Sequence, residues 1–262
     1  MEKHNSTTVE RRKTILDMLN VKGQVMIPDL SSIFHVSEVT IRNDLDQLEK
    51  KKMLLRARGG AIRIDTVVNI DYRLSDKDKL HSFEKAKIGK CAANLIDDNN
   101  TVIIDSGTTT IEIVKHLSPV KEITVISNAL NIVNQLISKN YPNVNVILLG
   151  GYLRKTSLSL VGPLAEKNLA NFYVDKVFLG VDGFDTKQGV YTPNIEEAHL
   201  NQQMIEIAKE VILVADSSKF GRKSMAFICE PSRINTVITD EGISNEDRKR
   251  LEDAGVKVII AT

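Results

Sequence analysis

Apolar residues are arranged in two ways along this chain. Up to about residue 62 they recur three or four apart, and beyond residue 100 they cluster in short unbroken runs. In the first stretch, Val9, Ile15, Leu16 and Leu19 supply one face of a helix that begins at Thr8 or a neighbour, with Gly23 after its end. Val25-Met26-Ile27 reads as a short extended piece, and Pro28 suits the first turn of a second helix that runs to Phe34. Ile41, Leu45 and Leu48 mark the inward face of a third helix. Ser37 is its N-cap candidate, and Glu38 places a negative charge where the helix dipole favours one. After Lys50-Lys51-Lys52, Arg56 and Arg58 alternate with apolar residues ahead of Gly59-Gly60, the pattern of a small strand pair with arginines on one face.

Residues 64–75 lack periodicity and read as a linker. From Asp76 a helical pattern of Leu80, Phe83, Lys87, Cys91 and Leu95 runs to about residue 97. Seven runs of strand type follow: Thr101–Ile104, Ile123–Ile126, Val144–Leu149, Val174–Val181, Val211–Ala215, Thr236–Thr239 and Val256–Ile260. Most are apolar on both faces, which predicts a parallel sheet covered by helices, hence an α/β domain. Helices are predicted at Thr110–Leu117, Leu130–Lys139, Leu164–Asn171, Ile195–Lys209 and Asn245–Ala254. The expected organisation is 1–63 for the helical domain with its hairpin, 64–75 for the linker and 76–262 for the sheet domain.

Charge sharpens the picture. The formal net charge is +1, but residues 1–64 carry 12 Lys/Arg against 8 Asp/Glu, and the remainder 23 against 26. A basic front end on a mildly acidic body suits a nucleic-acid-binding module joined to something else. Thr40, Arg42 and Asn43, with Ser37, offer the side chains that base edges and phosphates need: a guanidinium fork for guanine, an amide for adenine, hydroxyls for either. Lys50, Lys51, Lys52, Arg56 and Arg58 are candidates for phosphate contacts. Each of these is equally an ordinary solvated charge when taken alone; their direct succession is the signal.

A second candidate site lies at strand ends, where open α/β sheets bind ligands. Asp105-Ser106-Gly107-Thr108-Thr109-Thr110 follows one strand and precedes a helix, and its backbone N–H groups and hydroxyls suit a phosphate. Such loops also merely cap helices. Asn128, Gly150, Gly151, Arg154, Asp182 and Lys219 follow other strands, and polar residues at consecutive strand ends would converge on one pocket. Glu196, early in the helix from Ile195, is a further candidate, with a solvated helix start as the alternative. Cys91 and Cys229 read as free thiols, and His35 as a turn or packing residue without a second His or Cys nearby. No metal and no cofactor is expected. The chain lacks an apolar run of about 18 residues and begins with a polar segment, so no membrane span and a cytoplasmic location are expected.

The first sixty residues resemble the winged helix-turn-helix of the DeoR family of bacterial sugar-metabolism regulators. The likeness rests on Glu10-Arg11-Arg12, Gly23-Gln24-Val25, Phe34-His35-Val36-Ser37, Thr40-Ile41-Arg42-Asn43-Asp44-Leu45 and Arg58-Gly59-Gly60-Ala61. Many members carry two arginines where this chain has Arg42-Asn43, and the Asn form is similar to the N-acetylgalactosamine-utilisation repressor subgroup. The sheet domain resembles the family's sensor domain, itself similar to ribose-5-phosphate isomerase and glucosamine-6-phosphate deaminase. Here the likeness rests on Asp105-Ser106-Gly107-Thr108-Thr109, Asn128, Gly150-Gly151, Arg154, Gly162, Gly180-Val181-Asp182, Glu197-Ala198 and Asp216-Ser217-Ser218-Lys219-Phe220, and the run Asn194 to Asn201 adds to the likeness to the N-acetylgalactosamine subgroup. The resemblance implies a repressor that binds double-stranded operator DNA as a homodimer or homotetramer, controlled by a phosphorylated sugar or amino sugar, and not an enzyme. The alternative is a sugar-phosphate isomerase or deaminase with an appended DNA-binding domain, for which Asp182, Glu196, Glu197, Asp216 and Lys219 are available acids and bases. A third possibility is a DNA-binding protein whose sheet domain only mediates assembly.

Overall fold

In a computed structural model of the chain, residues 7–50, 53–62 and 71–262 are described. The chain divides into two units, Met1–Ile70 and Asp71–Thr262.

The first unit opens with helix α1 (Thr8–Lys22). Thr7 and Glu10 cap it reciprocally, each side chain taking the other's backbone N–H. Gly23, at φ 74°, ends it in the left-handed conformation that glycine adopts without a side-chain clash. Strand β1 (Gln24–Met26) leads into α2 (Ile27–Phe34), with Pro28 in its first turn. His35, left-handed at φ 52°, turns the chain toward α3 (Glu38–Lys50), so it is a turn residue as its sequence context predicts. Strands β2 (Leu55–Ala57) and β3 (Gly60–Ile62) form the expected hairpin, and β1 joins them in an antiparallel sheet of order β1-β3-β2. Ile15, Leu19, Leu30, Ile41, Leu45 and Leu54 are fully buried between these elements. Val9, expected on the inner face of α1, is 79% exposed, because the helix starts only one residue earlier and its first turn projects beyond the core.

The second unit begins with α4 (Leu74–Lys77) and α5 (Ser82–Ala93). The continuous helix expected from Asp76 is thus two pieces, broken at His81, which is left-handed at φ 53°. Its inner face also differs from the expected one. Ile88, Gly89 and Ala92 are buried, whereas Phe83 is 68% exposed. The chain then alternates through β4 (Thr101–Ile104), α6 (Thr110–Lys115), β5 (Ile123–Ser127), α7 (Leu130–Lys139) and β6 (Val144–Leu148). A hairpin, β7 (Tyr152–Arg154) and β8 (Ser159–Val161), precedes α8 (Pro163–Leu169) and β9 (Val174–Gly180). Short strands β10 (Gly183–Asp185) and β11 (Gly189–Thr192) lead to α9 (Ile195–Glu206), which gives way to β12 (Ala208–Val214) rather than reaching Lys209. Strand β13 (Ala226–Cys229) pairs with β11, and β14 (Thr236–Thr239), α10 (Asn245–Asp253) and β15 (Lys257–Ile260) close the unit.

All seven expected strands lie in one parallel sheet of order β15-β14-β12-β9-β4-β5-β6. An apolar core covers each of its faces, which is why the strand sequences do not alternate. The strand order reverses between β4 and β9. Loops leaving these neighbours diverge, and the crevice so formed at the carboxyl ends is where such sheets hold ligands. Residues 71–75, expected to be linker, belong to this unit's fold: Asp71 is bonded to Arg154, and the Leu74 N–H donates to the Thr156 carbonyl at 2.8 Å. Residues 64–70 of the expected linker lie outside the described residues.

Candidate functional site

The exposed stripe of α3 follows from its buried one. With Ile41, Asp44, Leu45 and Leu48 inside, Val39, Arg42, Asn43 and Asp46 share the outer face at helical spacing. Ser37 caps the helix as expected, its Oγ accepting the Thr40 N–H at 3.2 Å, and the two hydroxyls lie 3.0 Å apart. Arg42 Nη2 donates to Glu38 Oε2 at 2.7 Å, one turn back. Arg56 is tied to the same helix: its backbone N–H donates to Glu49 Oε1 at 2.9 Å, and Nη1 to Asp46 Oδ1 at 2.8 Å and to the Arg42 carbonyl. The hairpin is therefore fastened to α3 through one arginine. Gly59 makes the turn at φ 79°, whereas Gly60 serves close approach, since a Cβ there would sit 2.0 Å from the Val25 carbonyl oxygen. Lys50 and Arg58 are exposed; Lys51 and Lys52 lie outside the described residues.

Asp44 anchors α3 from behind. Its buried carboxylate accepts Nε–H from Arg11 at 2.6 Å and from Arg12 at 2.8 Å, joining α3 to α1. Nothing in the periodicity singles it out, because a carboxylate on an apolar face has no hydrophobic signature.

In the second unit, the loop after β4 meets the end of β9 at the strand-order reversal. Asp105, Ser106, Gly107, Thr108, Thr109, Asp182 and Lys219 line one cavity, as their places at strand ends suggest. Among the described residues, no hydrogen bond uses the N–H of Gly107, Thr108 or Thr109. Thr110 Oγ1, behind Gly107, is buried and likewise has no partner among the described residues. Helix α6 has only six residues. The loop's own N–H groups and nearby lysines, rather than a long helix dipole, therefore make this wall attractive to an anion.

The remaining expected residues sit elsewhere. Asn128 and Thr110 are buried and do not line the cavity, and Gly150 and Gly151 lie where the chain leaves β6 for the hairpin. Glu196 packs near Gly162, while its neighbour Glu197 turns into the cavity. Arg154 is 9% exposed and already paired with Asp71 and Glu197.

Several cavity residues escape a sequence reading, among them Leu74, Lys77 and Thr192. Lys77 Nζ donates to Asp182 Oδ1 at 2.6 Å. Burial alone would lower the Lys77 ammonium's pKa, but the Asp182 carboxylate, helped by Glu197 and Asp71, raises it above the usual value. Burial would raise Asp182, but Lys77 and Lys219 hold it below the carboxylate range. Lys85, buried on α5, donates to the Lys77 carbonyl and is brought down to about 8, by burial first and then by Lys219.

Asp105 is pushed up from 3.8 to about 8, by burial first and the Glu197 carboxylate second, against donors from Ser106, Asn201 and Gly180. The folded chain keeps a proton there that an unfolded chain releases near 3.8, so this group's contribution to stability declines as pH rises from about 4 to about 8. Asp105→Asn, which mimics the protonated acid, is expected to flatten that decline. The check is the unfolding midpoint of both proteins across that pH window.

The two units together have the features of a ligand-responsive DNA-binding regulator. The model for the DeoR-like helix-turn-helix domain matches residues 11–67, and that for the DeoR C-terminal sensor domain matches residues 80–241. The chain is 41% identical over 260 residues to a protein of Escherichia coli O157:H7 named as an aga operon transcriptional repressor, covering 99% of this chain and 96% of that one. It is 35% identical to the Bacillus subtilis (strain 168) transcriptional repressor GlcR, covering 96% and 95% of the two chains. Among solved structures, ribose 5-phosphate isomerase A from Neisseria gonorrhoeae aligns at 14% identity and a TM-score of 0.38, covering 56% of this chain and 55% of that one. The chain belongs to the DeoR family of transcriptional regulators and is a DNA-binding regulator, not an enzyme. Among the described residues, no helix is long and apolar enough to cross a membrane.

Proposed function

We propose that this protein represses an amino-sugar or sugar catabolic operon in the cytoplasm and that a phosphorylated sugar in the cavity of the second unit controls it. One observation carries the effector class: the open N–H groups of Gly107 to Thr109 share a cavity with Lys77 and Lys219. A phosphate bearing two negative charges can compete for those lysines where a neutral sugar cannot. Asp105, Asp182 and Glu197 then stand beside it as partners for hydroxyl or amino groups. The relative named for the aga operon points toward N-acetylgalactosamine derivatives.

Paired subunits would place α3 of each winged helix in successive major grooves, so an even-numbered assembly is expected. Thr40, Arg42 and Asn43 read bases, with the exposed Val39 placed to touch a thymine methyl; Ser37, Lys50, Lys51, Lys52, Arg56 and Arg58 hold phosphates. Arg42→Ala is expected to cost about 1–3 kcal/mol on selected DNA and much less on random DNA, as a bidentate base contact requires. Equal losses on both, in a titration at fixed salt, would assign Arg42 to the backbone instead.

The effector is tested by thermal unfolding with a panel of phosphosugars, N-acetylgalactosamine 6-phosphate and galactosamine 6-phosphate first, each beside its unphosphorylated parent. Ligand at about 100 times its dissociation constant adds about 2.7 kcal/mol. A shift with one phosphosugar that is absent with its parent and lost in Thr108→Ala is the expected result. No shift across the panel would remove the effector reading.

A further inference from the structure

Arg154 gathers residues from three parts of the second unit. Its Nη2 donates to Asp71 Oδ2 at 2.5 Å and to Thr156 Oγ1 at 3.3 Å, and its Nη1 donates to Ser157 Oγ at 3.1 Å and pairs with Glu197 Oε1. Glu197 also accepts from Ser159 Oγ at 2.8 Å and Thr192 Oγ1 at 3.3 Å, and it lines the cavity. Asp71 is the first residue of the second unit, so the chain toward the DNA-binding unit leaves from it. Six residues on, Lys77 is paired with Asp182, another cavity residue. The segment from Asp71 to Lys77 is thus pinned at one end to Arg154, whose partners Ser157 and Glu197 line the cavity, and at the other to the lining residue Asp182, and its own Leu74 and Lys77 form part of the wall.

This wall is the one built to move. The cavity measures about 50 Å³, whereas pockets for small ligands run to about 300–1,000 Å³. A sugar phosphate therefore needs one wall to give way. The loop after β4 and the end of β9 are held by the parallel sheet. No residue of helix α4 is fully buried, and the helix is held by the Lys77–Asp182 ion pair and backbone hydrogen bonds. Ion pairs can be exchanged for equivalent pairs with a ligand; packed strands cannot.

We infer that the segment Asp71–Lys77 transmits occupancy of the cavity to the DNA-binding unit, with Arg154 as its positioning residue. A ligand that engages the Glu197 carboxylate or draws Lys77 from Asp182 alters the hold of Arg154 on Asp71, and with it the point from which the chain departs. The ligand thereby has the differential contacts with two states that coupling requires. This rests on the effector reading above.

The test uses the full chain, DNA selected by the wild-type protein from a random duplex pool, and N-acetylgalactosamine 6-phosphate and galactosamine 6-phosphate as probes. Probe binding is read by thermal shift, and DNA affinity with and without probe by titration, for wild type, Asp71→Asn and Asp71→Glu. In the wild type the probe should change DNA affinity about 5–150-fold, in either direction. Asp71→Asn should bind the probe and bind DNA as the wild type does, yet show a ratio near one, and Asp71→Glu should restore the response. A wild-type ratio in Asp71→Asn would overturn the inference, as would loss of probe binding, which would make Asp71 part of the ligand site rather than a relay. If neither probe shifts the wild type, the amino-sugar effector reading fails, and the relay built on it fails with it.

Discussion

Asp44→Ala will cost the winged-helix unit about 3–5 kcal/mol, the usual penalty for removing one partner from a buried ion pair. Arg11 has 7% of its side chain exposed, so its guanidinium cannot recover hydration when the carboxylate goes. Arg12, at 27%, recovers some, which is why Arg12→Ala should be milder. A domain of this size has only a few kcal/mol to lose, so the variant should be largely unfolded in that unit at ambient temperature. The chain offers a clean readout. It has no tryptophan, and its five tyrosines, from Tyr72 to Tyr191, all lie in the second unit. Far-ultraviolet dichroism should therefore show lost helix while the tyrosine fluorescence transition stays where it was. A coincident shift of both signals would mean that Asp44 supports more than its own unit.

Gly89→Ala carries the second large effect. Alanine normally stabilises a helix interior relative to glycine by up to about 1 kcal/mol. Here the sign reverses. A Cβ at residue 89 would lie 2.2 Å from Glu112 Cβ and 2.6 Å from the Glu112 carbonyl carbon, so α5 and α6 must part. Backbone cannot rotate out of the way as a side-chain tip can. Overpacking of this kind costs about 1–3 kcal/mol. The displacement also reaches the proposed effector site, since α6 continues directly from the loop that lines the cavity. The tyrosine-detected midpoint should fall and the phosphosugar-dependent shift should shrink. Lys90→Ala, one residue along on an exposed position, should do neither.

The parallel sheet was legible because each strand is an apolar run bounded by turn residues, and the limits of α7, Leu130–Lys139, could be read directly. Where no breaker intervenes the boundary is lost: α9 passes into β12 through Ile207-Ala208. The antiparallel pieces β7, β8, β10, β11 and β13 have three or four residues each, too few to establish a period. Around α5 the apolar pattern chose Leu80 and Phe83, because a glycine pressed against Glu112 and a lysine reaching a carbonyl do not register as core. The cavity was half visible. Residues at strand ends announce themselves by position, whereas Asp71 and Lys77 are held by ion pairs, which leave no periodic trace; Asp71 reads as linker and Lys77 as the start of a helix.

Two arginines proposed to meet DNA, Arg42 and Arg56, already hold their counter-charges. An unpaired cation that neutralises a phosphate releases condensed ions and adds about 0.9 to the slope of log affinity against log salt. Arg42 must first leave Glu38, and Arg56 must leave Asp46, and each carboxylate so released then faces a polyanion. On the proposed reading, these two guanidiniums would add little to indiscriminate adhesion and would engage only where a base edge or a well-placed phosphate outcompetes the carboxylate. With these roles, the protein would give up affinity for bulk chromosome to gain contrast between its operator and everything else.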